Sequence, residues 1–193
     1  MDPRVTEFHC IMPIENLPSV QRFGIVSHEN ASNLPHRSVA LQPVQDKRDV
    51  KQVPQGLKLH QYANLYFHAR NPMMFLRRFE AGLCVLRISL DVLAVPGTVL
   101  ADQNAASNYV RFLSPVQIDQ LNFDRIYALD WTDDNLISYY QKKAARCAEV
   151  LVPHHVNRIL ITGAYVRDEA AALLARQTAP WLEVTVEPHL FFA

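Results

Sequence analysis

Apolar positions in this chain fall into short runs broken by turn residues, and their period changes from run to run. Phe8–Ile11 is short and apolar and predicts an edge strand. Within Glu15–Phe23, Leu17, Val20 and Phe23 recur at helical spacing, and Gly24 stands just past the end, where helices often terminate. Residues 27–60 lose apolar periodicity and hold Pro35, Pro43 and Pro54, which predicts a long, irregular, partly extended segment. Segments that long inside a compact domain are usually functional. Ala63–His68 reads as an aromatic strand, and Asn71-Pro72 as a turn. Pro72–Phe79 then predicts a helical turn carrying Met73, Met74, Phe75 and Phe79 into the core.

Cys84–Leu90 predicts a buried strand, and Val99–Leu113 is mixed, with a polar stretch at Asp102–Asn108. Asp133–Cys147 predicts a helix whose C-terminal half carries Lys142, Lys143 and Arg146, suited to the negative end of a helix dipole. Glu149–Val152 and Arg158–Val166 read as strands, Asp168–Gln177 as an Ala/Leu-rich helix and Glu183–Val186 as a last strand. The irregular alternation gives an α+β class rather than a repeating βαβ sheet.

A length of 193 residues predicts one domain, spanning 1–193. At 49% apolar residues the chain is too rich for disorder and can bury a full core. Five glycines, with no G-x-G-x-x-G and no G-x-x-x-x-G-K-[ST], weigh against a glycine-rich phosphate cradle. Cys10, Cys84 and Cys147 are odd in number and far apart, so they read as buried thiols of a reducing compartment. Met1–Arg4 lacks the start of a signal peptide, and no apolar run approaches the ~20 residues that cross a bilayer. The expected location is therefore the cytoplasm, with no membrane association.

Eight histidines raise the question of a metal. His154 and His155 are adjacent and point to opposite faces of a strand, and neither C-x-x-C nor H-E-x-x-H occurs, so no metal is expected. G-x-S-x-G is absent as well, and a Cys-His nucleophile built on Cys147 rests on composition alone. Two segments are more informative. Glu149 is a single acid opening an apolar strand just after a basic helix. It reads either as a solvated strand-end Glu or as a cleft carboxylate able to steady an oxocarbenium ion. Arg37–Ala40, followed by Val44–Arg48, reads either as a solvated charged loop or as an arginine that binds a pyrophosphate or positions the reacting groups.

These pieces, taken in order, resemble the DarT family of toxin ADP-ribosyltransferases. The resemblance is carried by Phe8-His9, Ile14–Leu17 and Gly24; Arg37–Ala40; Gln45–Arg48 leading to Val53-Pro54; Leu59–Tyr62 with Tyr66-Phe67; Asn71–Met73; Asp102–Ala105; Leu129–Trp131; and Ala148–Val152. It runs from about Phe8 to Tyr165. Ile11 stands where the family often has Thr, and His60-Gln61-Tyr62 replaces its usual His-Asp-Tyr. The spacing from His9 to Asn16 is also one residue longer than usual.

The resemblance implies a single-domain ADP-ribosyltransferase-like fold, with central mixed or antiparallel β-sheets flanked by helices. It implies NAD⁺ as co-substrate and single-stranded DNA as acceptor, at a thymine or guanine ring nitrogen. Glu149 would be the catalytic glutamate and Arg48 the arginine acting with it. His9, Asn16, Arg48 and Tyr66 would bind NAD⁺, with Phe67 pointing away from that pocket. Asp102, Asn104 and Ser107 would meet the nucleic acid. A macrodomain antitoxin of the DarG kind is implied as partner, and the enzyme is expected to be a monomer. The rival readings are the same chemistry on RNA or protein, and an inactive module that binds NAD⁺ or nucleic acid.

Charge refines the nucleic-acid question. Lysines and arginines number 19 against 19 acids, which excludes a broad non-specific coat of nucleic acid. The distribution is uneven, however: residues 37–87 hold nine basic and three acidic side chains, net +6. A narrow, salt-sensitive site for one strand is consistent with that segment.

Overall fold

The computed structural model describes residues 1–193. The chain opens with β1 (Phe8–Pro13) and α1 (Leu17–Phe23), followed by β2 (Ile25–Val26), α2 (His28–Ala31) and α3 (Gln42–Asp49). Then come β3 (Tyr62–Tyr66), α4 (Pro72–Arg77), β4 (Leu83–Ile88), β5 (Val99–Ala101) and β6 (Phe112–Leu113). The last third holds α5 (Phe123–Ile126), α6 (Leu136–Ala145), β7 (Glu149–Pro153), β8 (His155–Val156), β9 (Ile161–Val166), α7 (Glu169–Thr178) and β10 (Val184–Val186).

Helix starts follow capping chemistry. The Asn71 side chain accepts from the Met74 amide, Asn135 from Ser138 and Asp168 from Ala171, each satisfying an otherwise orphaned N–H. Gly24 ends α1 at φ 73°, where a Cβ would lie 2.1 Å from the Val156 carbonyl oxygen, so only glycine fits.

Eight strands form one mixed sheet in the order β10-β9-β4-β1-β3-β7-β5-β6, antiparallel except for the parallel β9–β10 pair. β2 and β8 pair separately. This is the α+β arrangement expected, with one correction at its centre. β1 lies between β4 and β3 rather than at an edge. Its burial explains the placement: five of its six residues are buried, so it is covered on both faces and reads as a continuous apolar run.

The largest apolar cluster includes Phe8, Leu65, Phe67, Leu86, Val150 and Ala164. A second cluster gathers Ile11, Tyr66, Met74, Val85 and Phe191, and a third gathers Leu59, Tyr62, Ala105 and Leu151. No helix is long and apolar enough to cross a membrane.

Two further expectations are corrected. Residues 42–49 are helical, with Pro43 in the first turn; the inward-facing residue of this helix is Arg48, so it shows no apolar period. Of Met73, Met74, Phe75 and Phe79, only Met74 is fully buried. Phe75 is half-exposed against Trp131 and Phe192, and Phe79 is exposed with the Arg78 guanidinium over its ring.

Candidate active site

β7 begins at Glu149, and register places that residue opposite Tyr66 on β3 and Ala101 on β5, deep in the sheet. The Glu149 side chain is 1% exposed. Its charge is met from another element: Arg48 Nη1 donates to both carboxylate oxygens, at 2.9 and 3.2 Å. The Ala105 amide donates to Oε1 at 3.0 Å. Burial of an ion pair is tolerated only with such additional hydrogen bonds. α3 is a polar helix, and His60 anchors it. The His60 ring contacts the Gln45 side chain at 3.1 Å and Asp49 at 3.3 Å, one turn apart on the helix.

Arg48, Tyr66 and Glu149 line a cavity of about 600 Å³, within the range of small-molecule sites. Burial raises the Tyr66 hydroxyl well above its ordinary pKa, and the nearby Glu149 carboxylate adds to the rise. Phe67 points away from the cavity, against Phe8 in the main core.

A strap without regular structure, residues 36–41, forms another wall. Asn16 fixes it from both sides: its Nδ2 donates to the Arg37 carbonyl at 2.8 Å, and its Oδ1 accepts from the Arg37 amide at 3.0 Å. Arg77 Nε donates to the Val39 carbonyl at 3.1 Å. Asn16 therefore lines the cavity and shapes it.

His9 lies beside the cavity rather than in its wall. Its Nδ1 accepts from the Ala69 amide at 3.2 Å, so its Nε2–H donates to Glu7 at 3.1 Å. Both ring nitrogens are occupied: Nδ1 holds β1 to the chain beyond β3, and Nε2 holds Glu7, just before β1. Asn104 and Ser107 line the cavity, whereas Asp102 is tied to Arg111 at 2.7 Å and braces the loop. Two features with no sequence signal enter here: the Ala105 amide, and the placement of Tyr140 and Lys143 of α6 at the cavity wall.

Cys147 also lines the cavity, but burial, reinforced by the Glu149 charge, pushes its thiol up to about 12. At neutral pH it is a protonated thiol, which removes the Cys-His nucleophile reading. No group of three or more His, Cys, Asp and Glu side chains converges to hold a metal.

His68 connects the chain after β3 to the chain before β7. Its Nδ1 accepts from the Arg70 amide at 3.1 Å and contacts Arg146 at 3.3 Å. Burial, with the Arg146 charge second, lowers its pKa to about 3 from the ordinary 6.5. The unfolded chain therefore binds this proton between those values and the fold does not, so stability falls as pH drops. Between pH 6.5 and 5 the loss from this group is about 2 kcal/mol. In urea denaturation at pH 7.5 and 5, His68→Asn, which keeps an acceptor, will show a flatter pH dependence than the parent. Equal slopes in the two proteins would dismiss His68 as the source.

The family model described as ssDNA thymidine ADP-ribosyltransferase, DarT, matches residues 8–192. A DNA ADP-ribosyl transferase–DNA ADP-ribosyl glycohydrolase fusion protein of Thermosipho africanus is 27% identical over 206 residues, covering 100% of this chain and 51% of the fusion. The chain thus spans about half the length of that relative. A DNA ADP-ribosyl transferase of Thermus sp. is 28% identical over 144 residues, covering 68% of this chain and 69% of that protein. The solved structure of Thermus sp. 2.9 DarT in complex with ADP-ribosylated ssDNA superposes with a TM-score of 0.80 at 24% identity, covering 98% of this chain and 97% of that one, and so shares the fold. The family match starts at the first residue of β1 and runs past the last strand, taking in every element described above: the chain belongs to the DarT family.

Proposed function

We propose that this chain, as one ADP-ribosyltransferase domain over residues 1–193, transfers ADP-ribose from NAD⁺ to a thymine ring nitrogen in single-stranded DNA. The observation that carries this reading is the buried Arg48–Glu149 pair at the wall of a 600 Å³ cavity, in a chain of this family.

NAD⁺ lies in the cavity with its nicotinamide ribose over Glu149. The C1′–N bond to nicotinamide breaks, and the carboxylate, accepting from the ribose 2′-hydroxyl, steadies the positive charge spread over C1′ and the ring oxygen. The thymine nitrogen attacks C1′ and a new C1′–N bond forms. The proton on that nitrogen passes to Glu149 and then to solvent. Nicotinamide leaves with the electron pair of the broken bond. Arg48 holds the carboxylate through Nη1 alone, so its other N–H groups remain for the substrate. Tyr66 packs against the nucleotide, Asn16 sets the strap over it, and His9 supports the site from behind.

Asn104 and Ser107, with Tyr140 and Lys143, form the wall that the DNA strand meets. Stacking in a duplex hides the ring nitrogen, so the acceptor is single-stranded. Enzyme and DNA meet in the cytoplasm. The matching partner is a macrodomain that removes the ADP-ribose, the glycohydrolase activity named in the Thermosipho fusion.

The test is labelled NAD⁺ with single-stranded oligonucleotides of each base, a duplex and an RNA. Label should appear on thymine-containing single strands, survive RNase and protease, and weaken steeply with salt. Label confined to RNA or protein would redirect the chemistry, and no label on any oligonucleotide would end the DNA reading.

A further inference from the structure

Glu149 is held from two directions, and both trace back to one turn of chain. Arg48, in the last turn of α3, grips the carboxylate directly. Three residues on, just past the helix end, Lys51 extends to the loop between β5 and β6. Its Nζ donates to the Ala106 carbonyl at 2.8 Å and to the Ser107 carbonyl. The residue before these is Ala105, whose amide donates to Glu149 Oε1. The Ala105 methyl packs with Leu59, Tyr62 and Leu151, and the Asn104 amide donates to the Ala144 carbonyl at 3.2 Å. The loop is thus anchored on its Asn104 side by α6 and on its Ser107 side by the lysine. A backbone amide acts on a carboxylate only while the loop carrying it is held in place.

We propose that Lys51 is a positioning residue, which fixes the 104–107 loop so that the Ala105 amide holds the Glu149 carboxylate in its reactive orientation. This rests on the reading of Glu149 as the acting carboxylate. A lysine in a basic segment is otherwise expected to meet a DNA phosphate, but this ammonium is committed to two carbonyl oxygens. Burial, and Lys47 nearby, lower its pKa.

Two measurements test the assignment. The first is the Ala105 amide resonance in the ¹⁵N-labelled protein, which needs no activity. An amide bonded to a carboxylate resonates downfield. Lys51→Met should move it upfield toward its position in Glu149→Gln, and Lys51→Arg, whose planar fork spans two acceptors, should restore it. An unmoved Ala105 resonance in Lys51→Met overturns the proposal, whatever the enzyme does.

The second is kinetic. Lys51→Met should lower kcat by about 10–100-fold, the scale of a small misplacement of a reacting group, with KM for NAD⁺ unchanged. NAD⁺ hydrolysis in the absence of DNA should fall by the same factor. The salt slope of oligonucleotide binding should stay that of the parent. Unchanged hydrolysis together with a salt slope reduced by about one makes Lys51 a phosphate contact and overturns the proposal. A parent protein with neither transfer nor hydrolysis defeats the function proposed above, while the amide resonance still decides the role of Lys51.

Discussion

Glu149→Gln should lose transfer of ADP-ribose by about 10³-fold or more in kcat, while NAD⁺ continues to bind. Gln keeps the length and planarity of the side chain and can still accept from the Ala105 amide. What it removes is the negative charge, in a place 1% exposed, where little water is present to screen a developing cation. It also removes the one acceptor in the site paired with a buried guanidinium, and so the group that takes the proton from the attacking nitrogen. Single-turnover transfer of label reads the chemical step, and calorimetry reads NAD⁺ binding. A loss below about tenfold, or 1.4 kcal/mol of barrier, takes Glu149 out of the chemistry.

The second large effect is on stability. Arg48→Met should destabilise the protein by about 3–5 kcal/mol, the usual consequence of leaving a buried charge without its partner. The Arg48 side chain is 6% exposed and that of Glu149 1%, so water cannot replace the lost contact. The double variant Arg48→Met/Glu149→Gln should recover most of that loss, because neutral groups of similar shape replace the whole pair. Both variants should be inactive. Urea denaturation of the parent, the two single variants and the double variant completes the cycle. Additive losses would mean that the 2.9 Å contact contributes no coupling, and that Arg48 serves the nucleotide alone.

The two results bear on each other. In the single Arg48 variant, lost activity mixes a missing guanidinium with a displaced carboxylate. Glu149→Gln leaves the backbone contacts of β7 with Tyr66 and Ala101 in place, so its kinetic loss is the cleaner one. A stable but inactive Glu149→Gln beside an unstable Arg48→Met would separate chemistry from the support of the chemistry.

Local order was legible in the chain. The helical spacing of Leu17, Val20 and Phe23 and the glycine after them gave α1 and its end, which the approach of Val156 to Gly24 then enforces. Asp168 gave the start of α7, where it caps the helix. Glu149 stood out because one acid opened an apolar strand, and the order of short pieces from Phe8 to Tyr165 pointed to the family. α3 was not legible: a helix whose inward residue is an arginine has no apolar stripe to read. Phe79 misled in the opposite sense, since an aromatic ring under a guanidinium rests at the surface.

The sequence by itself determined most of the segments that become helix or strand, α3 excepted, and which acid opens β7. Those properties depend on neighbours within a turn or two of chain. Only the tertiary structure decided that β1 is central, because coverage of both its faces comes from distant elements. It alone brought Arg48 to Glu149 across 101 residues of chain. It also decided which polar residues face the cavity: Asn104 and Ser107 do, Asp102 braces the loop, and His9 lies beside it, bonded to the Ala69 amide. The amide that holds Glu149 belongs to an alanine, and a backbone N–H is the same on every residue but proline. No residue type could have announced it; the fold of the loop, with Lys51 across it, gives that amide its position.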